Sequence, residues 1–193
     1  SDSWQEFDEI YREHRGHGKR TPESLIGQID FSKKLSSQLS LTGTKRTLVL
    51  HPTSGDIMRA ARIIPGLAII GHSLHYYPAI TEAEAAYLVG VLNAPALNPA
   101  FVASRTSGRH FVNNPWRAVP IPRYNHNDSL HREIARLARR AEKIANQWCS
   151  ENPGRSGQLA ISKRIRSLLL DRGIFDNLDD AVCQLLPQHV RRV

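Results

Sequence analysis

Residues 81–101 read TEAEAAYLVGVLNAPALNPAF. Thr81, followed three residues later by Glu84, has the form of a capping box, in which a hydroxyl and a carboxylate take up amide hydrogens that the first helical turn leaves free. Ala85, Leu88, Val89 and Leu92 then recur at helical spacing and line one face. Asn93 to Pro95 breaks the run, and a second helix is expected from about Pro95 to Ser104. The stretch reads as a helical pair packed on a sheet.

The strands for that sheet lie upstream. KRTLVLHP has the composition of a strand stopped by Pro52. The section after it carries Gly55, Pro65, Gly66, Gly71 and Pro78 between apolar runs, so short strands are expected near Arg59–Ile63, Leu67–Ile70 and Ser73–Tyr77. Before the sheet, WQEFDEIYREH places Trp4, Phe7, Ile10 and Tyr11 at helical spacing. The basic link RGHGKRTPES follows, with Thr21 or Ser24 able to cap a weak second helix around Leu25 and Ile29.

Downstream, VPIP is a short extended segment pinned by Pro120 and Pro122. A long helix is expected from Asp128 to Trp148, burying Leu130, Ile134, Leu137, Ala141, Ile144, Ala145 and Trp148. Arg132, Arg136, Arg139, Arg140 and Lys143 lie mainly off that stripe. SENPGRSG marks a boundary, and helices around Ile161–Leu170 and Asp179–Leu186 form a tail. The fold class is therefore α+β: a small mixed or antiparallel sheet packed with helices, followed by a long helix and a short helical tail. Three segments are expected: a helical lead-in over 1–45, an α/β core over 46–127, and the long basic helix with its tail over 128–193.

A chain of 193 residues can bury a core without metals or disulfides. Cys149 and Cys183 form no CxxC pair, which favours a reducing compartment. No run reaches the roughly 18 apolar residues of a membrane helix, and SDSWQEFDEI has no signal-peptide core. A cytoplasmic protein with no membrane partner is expected. Ser1, standing where an initiator Met would be, fits an excised piece of a longer chain or a cloning remnant. The net charge of +8 leans toward phosphate backbones.

Most catalytic motifs are incomplete. An aminomethyltransferase loop needs a polar acceptor, a backbone carbonyl and an aromatic face around the extruded adenine; Asn114-Pro115-Trp116 lacks the second proline of the usual run. No strand, glycine turn and helix precede it to hold S-adenosylmethionine. His14 and His17, or His72 and His75, lack companion ligands at metal-binding spacing. LTGTKRT has one glycine where a phosphate loop needs two, and His51, Ser54 and Asp56 lack a nucleophile elbow. Catalytic, cofactor-binding and metal-ligating residues are accordingly expected to be absent.

Recognition remains. Arg105, Arg109, Arg117 and Arg123 punctuate a proline-limited loop that also holds His110 and Trp116, and Arg59 and Arg62 flank the strand after SGD. A guanidinium offers a planar fork to guanine edges or phosphates, and a loop stiffened by proline loses less entropy on docking. These eight residues form the candidate DNA-binding set.

The order of SGDIMRAARI, IIGHSLHYYPAI, EAAYLVGVLNAPALNPAF, SGRHFVNNPWRAVPIPRY and HREIARLARRAEKIA resembles the C-terminal, target-recognition-like region of bacterial N6-adenine DNA methyltransferases of restriction-modification and phage-defence systems. The likeness runs from about Arg46 to Ala145. Tyr87, Leu88, Leu92, Asn93 and Pro95 fit that family's helix-and-break pattern, with Ala94 where serine is common, and Ile121 and Pro122 fit the element before its long helix. The resemblance implies a specificity domain that binds double-stranded DNA. Methyl transfer from S-adenosylmethionine would belong to an N-terminal methyltransferase domain or a partner subunit. The alternative is a protein-interaction or scaffold module whose basic surface docks an acidic partner, marked by an exposed apolar stripe on the long helix.

Overall fold

The computed structural model describes residues 2–18, 21–30, 32–66, 68–106, 110–111, 114–153 and 157–187, with the backbone alone for Asp2, Arg117, Gln158 and Leu159. The chain divides into two compact units, residues 1–44 with 65–69, and residues 45–64 with 70–193.

The first unit holds three helices, α1 (Asp2–His14), α2 (Leu25–Ile29) and α3 (Lys34–Leu39). Ser24, rather than Thr21, caps α2 by accepting the Gly27 N–H at 3.1 Å. Asp8 accepts the Leu25 N–H at 2.6 Å, and the Tyr11 hydroxyl donates to the Pro22 carbonyl at 3.0 Å, so α1 is fastened to the link before α2. Helix α3 carries too few apolar residues to announce itself in sequence. It is started by Asp30, whose carboxylate accepts the N–H groups of Leu35 and Ser36. Trp4, Phe7 and Ile10 remain exposed along α1.

The second unit is built on a three-stranded antiparallel sheet of order β2-β1-β3, from β1 (Thr47–Pro52), β2 (Ala61–Ile63) and β3 (Leu74–Ala79). Leu48 faces Ile63 across one ladder of β1, and Val49 faces Tyr77 across the other. Leu48, Val49 and His51 of this central strand are buried.

The strand expected at Leu67–Ile70 is not part of this sheet, whose members are β1, β2 and β3. Residues 68–70 lie in no strand, Leu67 falls outside the described residues, and Gly66 turns the chain with a left-handed φ of 89°.

Helix α4 (Glu82–Asn93) is the centre of this unit. Thr81 Oγ1 accepts the Glu84 N–H at 3.1 Å, as expected of the capping box, while the Glu84 carboxylate takes the N–H of Ile80, one residue before the cap, at 2.6 Å. The sequence marks one apolar face, yet Ala85, Ala86, Tyr87, Leu88, Gly90, Val91 and Leu92 are all buried and Val89 is half-buried. The reason is position: α4 contacts all three strands and also α6 (Ser129–Glu151) and α8 (Ile174–Leu185). A helix surrounded by protein needs apolar residues all round.

After the Asn93–Pro95 break come a 3₁₀ turn (Pro95–Leu97) and α5 (Asn98–Ala103). The VPIP segment forms no strand. Val119 is buried, and the Pro122 carbonyl accepts the Tyr87 hydroxyl at 3.1 Å. Asp128 caps α6 by accepting the N–H groups of Leu130 and His131. Ile134, Leu137 and Ile144 are buried as expected, joined by His131, Ala135 and Ala138, whereas Leu130 and Trp148 are half-buried. Helix α7 (Gln158–Asp171) and α8 complete the tail. Leu178, Ala181 and Val182 of α8 share one core with α4, Ile134 and Val49, so the segments over 46–127 and 128–193 are packed together.

Candidate nucleic-acid interface

The loop from Gly55 to Ala60 is held by three side chains that arrive from the helical pair and the segment after it. Asn93, the last residue of α4, accepts the Ala60 N–H at 3.0 Å and donates to the Ala60 carbonyl at 2.8 Å and the Val89 carbonyl at 3.0 Å. Asn98, the first residue of α5, accepts the Met58 N–H at 2.8 Å. Arg105 donates to the Gly55 carbonyl at 2.7 Å and meets the Asp56 carboxylate at 3.3 Å. The loop is thus ordered before anything docks on it.

The eight candidate residues separate into distinct places. Arg59 is exposed and donates to the Ser162 hydroxyl of α7 at 2.8 Å. Arg62 turns inward instead of toward a ligand: its Nε and Nη2 donate to Glu142 at 2.9 and 2.7 Å, and its Nη1 to Glu82. Arg105 is likewise engaged with Gly55 and Asp56. His110 is exposed and bridges to both Ser54 and Thr106, which brings it beside the Arg105 loop. Trp116 is half-buried and packs edge-on against Tyr77, with ring centroids 4.8 Å apart. Arg123 is exposed, and its charge acts on the same Tyr77 hydroxyl. Arg109 lies outside the described residues. The backbone of Arg117 belongs to a 3₁₀ turn (Pro115–Arg117), and its side chain is outside the description.

The Arg62 node was not foreseen. Its partners lie 20 and 80 residues away in sequence, where local spacing carries no signal. Arg139 adds a second cation to Glu82 at 3.2 Å. Burial works against the charge on Arg62, but the hydrogen bonds of Glu142 and Glu82 outweigh it and raise its pKa. Reciprocally, the Arg62 hydrogen bond, helped by Arg139, holds the Glu82 carboxyl below its ordinary value of 4.5.

A carboxyl whose folded pKa is depressed stabilises the fold fully above its unfolded pKa and loses that contribution as pH falls through the folded value. Urea unfolding is therefore expected to show the protein losing stability on acidification below about pH 4.5, and Glu82→Gln is expected to be weaker at neutral pH yet flatter across that acid range. An unchanged acid slope in E82Q would place the titration elsewhere.

A cleft of about 520 Å³ opens between β2, α4, α6, α7 and α8. Gly90, Ala138 and Ala141 lie along it with Ile165 and Leu169, and Arg59, Arg62 and Arg166 are its cations. Several of its polar side chains already have partners: Asn93 holds Ala60, Ser162 accepts Arg59, and Arg166 lies over the Phe175 ring at 5.3 Å. Among the described residues, no group of three or more His, Cys, Asp or Glu could hold a metal. No single described helix is long and apolar enough to cross a membrane; α4 and α5 pass only as a bent pair, and α4 lies within the core.

His131 was also missed as a structural residue. It is buried, its Nδ1 accepts the Asn125 N–H at 2.9 Å, and its ring lies 4.6 Å from that of Tyr87. Burial pushes the Tyr87 hydroxyl well above its ordinary pKa, so it acts as a neutral donor to Pro122. No known family model, curated protein or solved structure matches this chain.

Proposed function

We propose that this chain is a DNA-binding target-recognition unit of an N6-adenine DNA methyltransferase or restriction-modification enzyme, gripping duplex DNA without performing the methyl transfer. The observation that carries the reading is where charge is neutralised. Glu82 and Glu142 face Arg62 and Arg139, Asp56 faces Arg105, and Asp128 and Asp179 accept backbone N–H groups. Each of these carboxylates is engaged by a partner within the chain. Arg59 and Arg123 are exposed with no carboxylate partner among the described residues. With a net charge of +8, an uncompensated cationic surface favours a polyanion.

S-adenosylmethionine does not fit the described residues. The sheet is antiparallel throughout, and no described strand runs through a glycine-rich turn into a helix. Methyl transfer is assigned to no residue of this chain, and the cofactor would belong to a catalytic domain or partner subunit. In the recognition role, the clamped Gly55–Ala60 loop presents Arg59 without an ordering cost at docking. Arg109, Arg117 and Arg123 supply phosphate or base-edge contacts. The scaffold alternative calls for an exposed apolar stripe on α6, and Ile134, Leu137 and Ile144 are buried.

The test is fluorescence anisotropy with labelled random-sequence duplex DNA across a salt series, with polyglutamate as competitor. Binding is expected to weaken steeply with salt and to fall several-fold when Arg109 and Arg117, or Arg59 and Arg123, are changed to Ala. Absence of binding at low salt, or equal competition by polyglutamate, would overturn the reading.

A further inference from the structure

We infer that the outer face of α6 is the track that holds the phosphate backbone, a role distinct from that of the loop arginines; this rests on the DNA-binding reading above. Arg132, Arg136, Arg140 and Lys143 are exposed and recur at intervals of four, four and three residues, so each lies about one helical turn beyond the last. They lie off the stripe formed by Ile134, Leu137 and Ile144, which are buried in the core. The arrangement is thus fixed on a 23-residue helix that is itself an anchored part of the fold.

The charges on this face are largely uncompensated. Arg136 is paired with Glu133 at 2.6 Å. Arg132 donates to the His126 carbonyl at 2.7 Å, a contact that leaves its charge intact. Arg140 and Lys143 have no carboxylate partner among the described residues. At 1.5 Å per residue the four cations span about 16 Å, and a DNA strand presents one phosphate per roughly 3.4 Å of axis, so the row can meet several phosphates at once.

Chemistry also separates this partner from an acidic protein. A protein interface needs an apolar or aromatic centre. Continuing along α6, the exposed residues beyond Lys143 are Asn146, Gln147, Cys149, Ser150 and Glu151. Asn146, Gln147 and Ser150 are neutral hydrogen-bonding groups suited to sugar and phosphate oxygens, and Glu151, the acid at the end of the helix, accepts the Gln147 amide at 2.8 Å. No large apolar side chain interrupts the row.

The test compares the full chain with two charge-matched variants, R132Q/R140Q/K143Q on α6 and K163Q/R164Q/R172Q on exposed positions of α7 and its end. Thermal melts confirm that both remain folded, and binding to random duplex DNA is measured across a salt series. The α6 variant is expected to lose at least 10-fold in affinity at low salt and to flatten the log–log salt slope by about 2 to 3, since each phosphate contact contributes about 0.9. The α7 variant is expected to keep the wild-type slope. Equal weakening of both variants would mean that net charge alone acts and would overturn the track, as would wild-type behaviour of the α6 variant. Either of those results leaves DNA binding itself standing. Failure of the wild type to bind DNA at any salt overturns the recognition reading and the track together, and preferential binding of polyglutamate replaces both with an acidic protein partner.

Discussion

Gly90→Val is expected to lower the stability of the fold by about 3 kcal/mol, a large part of what a domain of this size has. In an exposed helix, replacing glycine stabilises, by about 0.8–1 kcal/mol for alanine. Here a Cβ on residue 90 would stand 2.6 Å from Ile134 Cγ2, 3.0 Å from the Ile134 carbonyl oxygen and 3.4 Å from Ala138 Cβ. Ile134 is fully buried, and its carbonyl belongs to the backbone of α6, so neither can move aside without parting the two helices. The first methyl of Gly90→Ala already brings an overpacking cost of about 1–3 kcal/mol, which outweighs the gain in helix propensity. Valine adds two further methyl groups. Urea unfolding should show G90A slightly below and G90V far below the wild type. In the double variant G90A/I134A the two losses should sum to less than their separate values, because Ile134→Ala removes the atom at 2.6 Å. A G90A protein more stable than wild type would show that α4 and α6 do not approach this closely.

The parts of this fold legible in sequence are those with a local cause. Thr81 and Glu84 announce α4, the strand-like composition of TLVLHP ending at Pro52 announces β1, and the spacing of Ile134, Leu137 and Ile144 announces α6 and its buried side. What was not legible depends on pairing. An apolar run such as Leu67–Ile70 becomes a strand only if it pairs with a neighbour, and short apolar runs carry no local mark of whether they will. The sheet is made of β1, β2 and β3 alone among the described residues. Arginine reads the same in sequence whether it faces solvent, like Arg59 and Arg123, or two carboxylates, like Arg62. Local spacing therefore cannot sort inward cations from outward ones. Asn93 was read only as a helix break, although an asparagine beside a helix end and a proline, repeated at Asn98, is a pattern from which a backbone clamp could have been suspected.

Asn93→Ala is expected to cost about 2–3 kcal/mol, because it strips partners from a part-buried N–H and carbonyl at once. The Asn93 amide matches Ala60 as a neighbouring strand would, accepting from its N–H and donating to its carbonyl, with a further bond to Val89. Asn93→Asp keeps the shape and the acceptor but sets a carboxylate oxygen against the Ala60 and Val89 carbonyls. At neutral pH it should be no better than alanine. Those carbonyls disfavour the charged form, so the folded pKa of the new carboxyl would be raised, and N93D should recover stability relative to wild type as pH falls and a proton restores a donor. Hydrogen exchange gives the local readout. In N93A the Ala60 amide should exchange faster, while the Met58 amide, held by Asn98 Oδ1, should keep its protection. Equal loss at both amides would mean that the loop is anchored as a single piece and that Asn93 is not its individual clamp. If Ala60 alone is released, Arg59 beside it loses its fixed position, and the folded N93A protein should bind duplex DNA more weakly because the loop must then be ordered on docking.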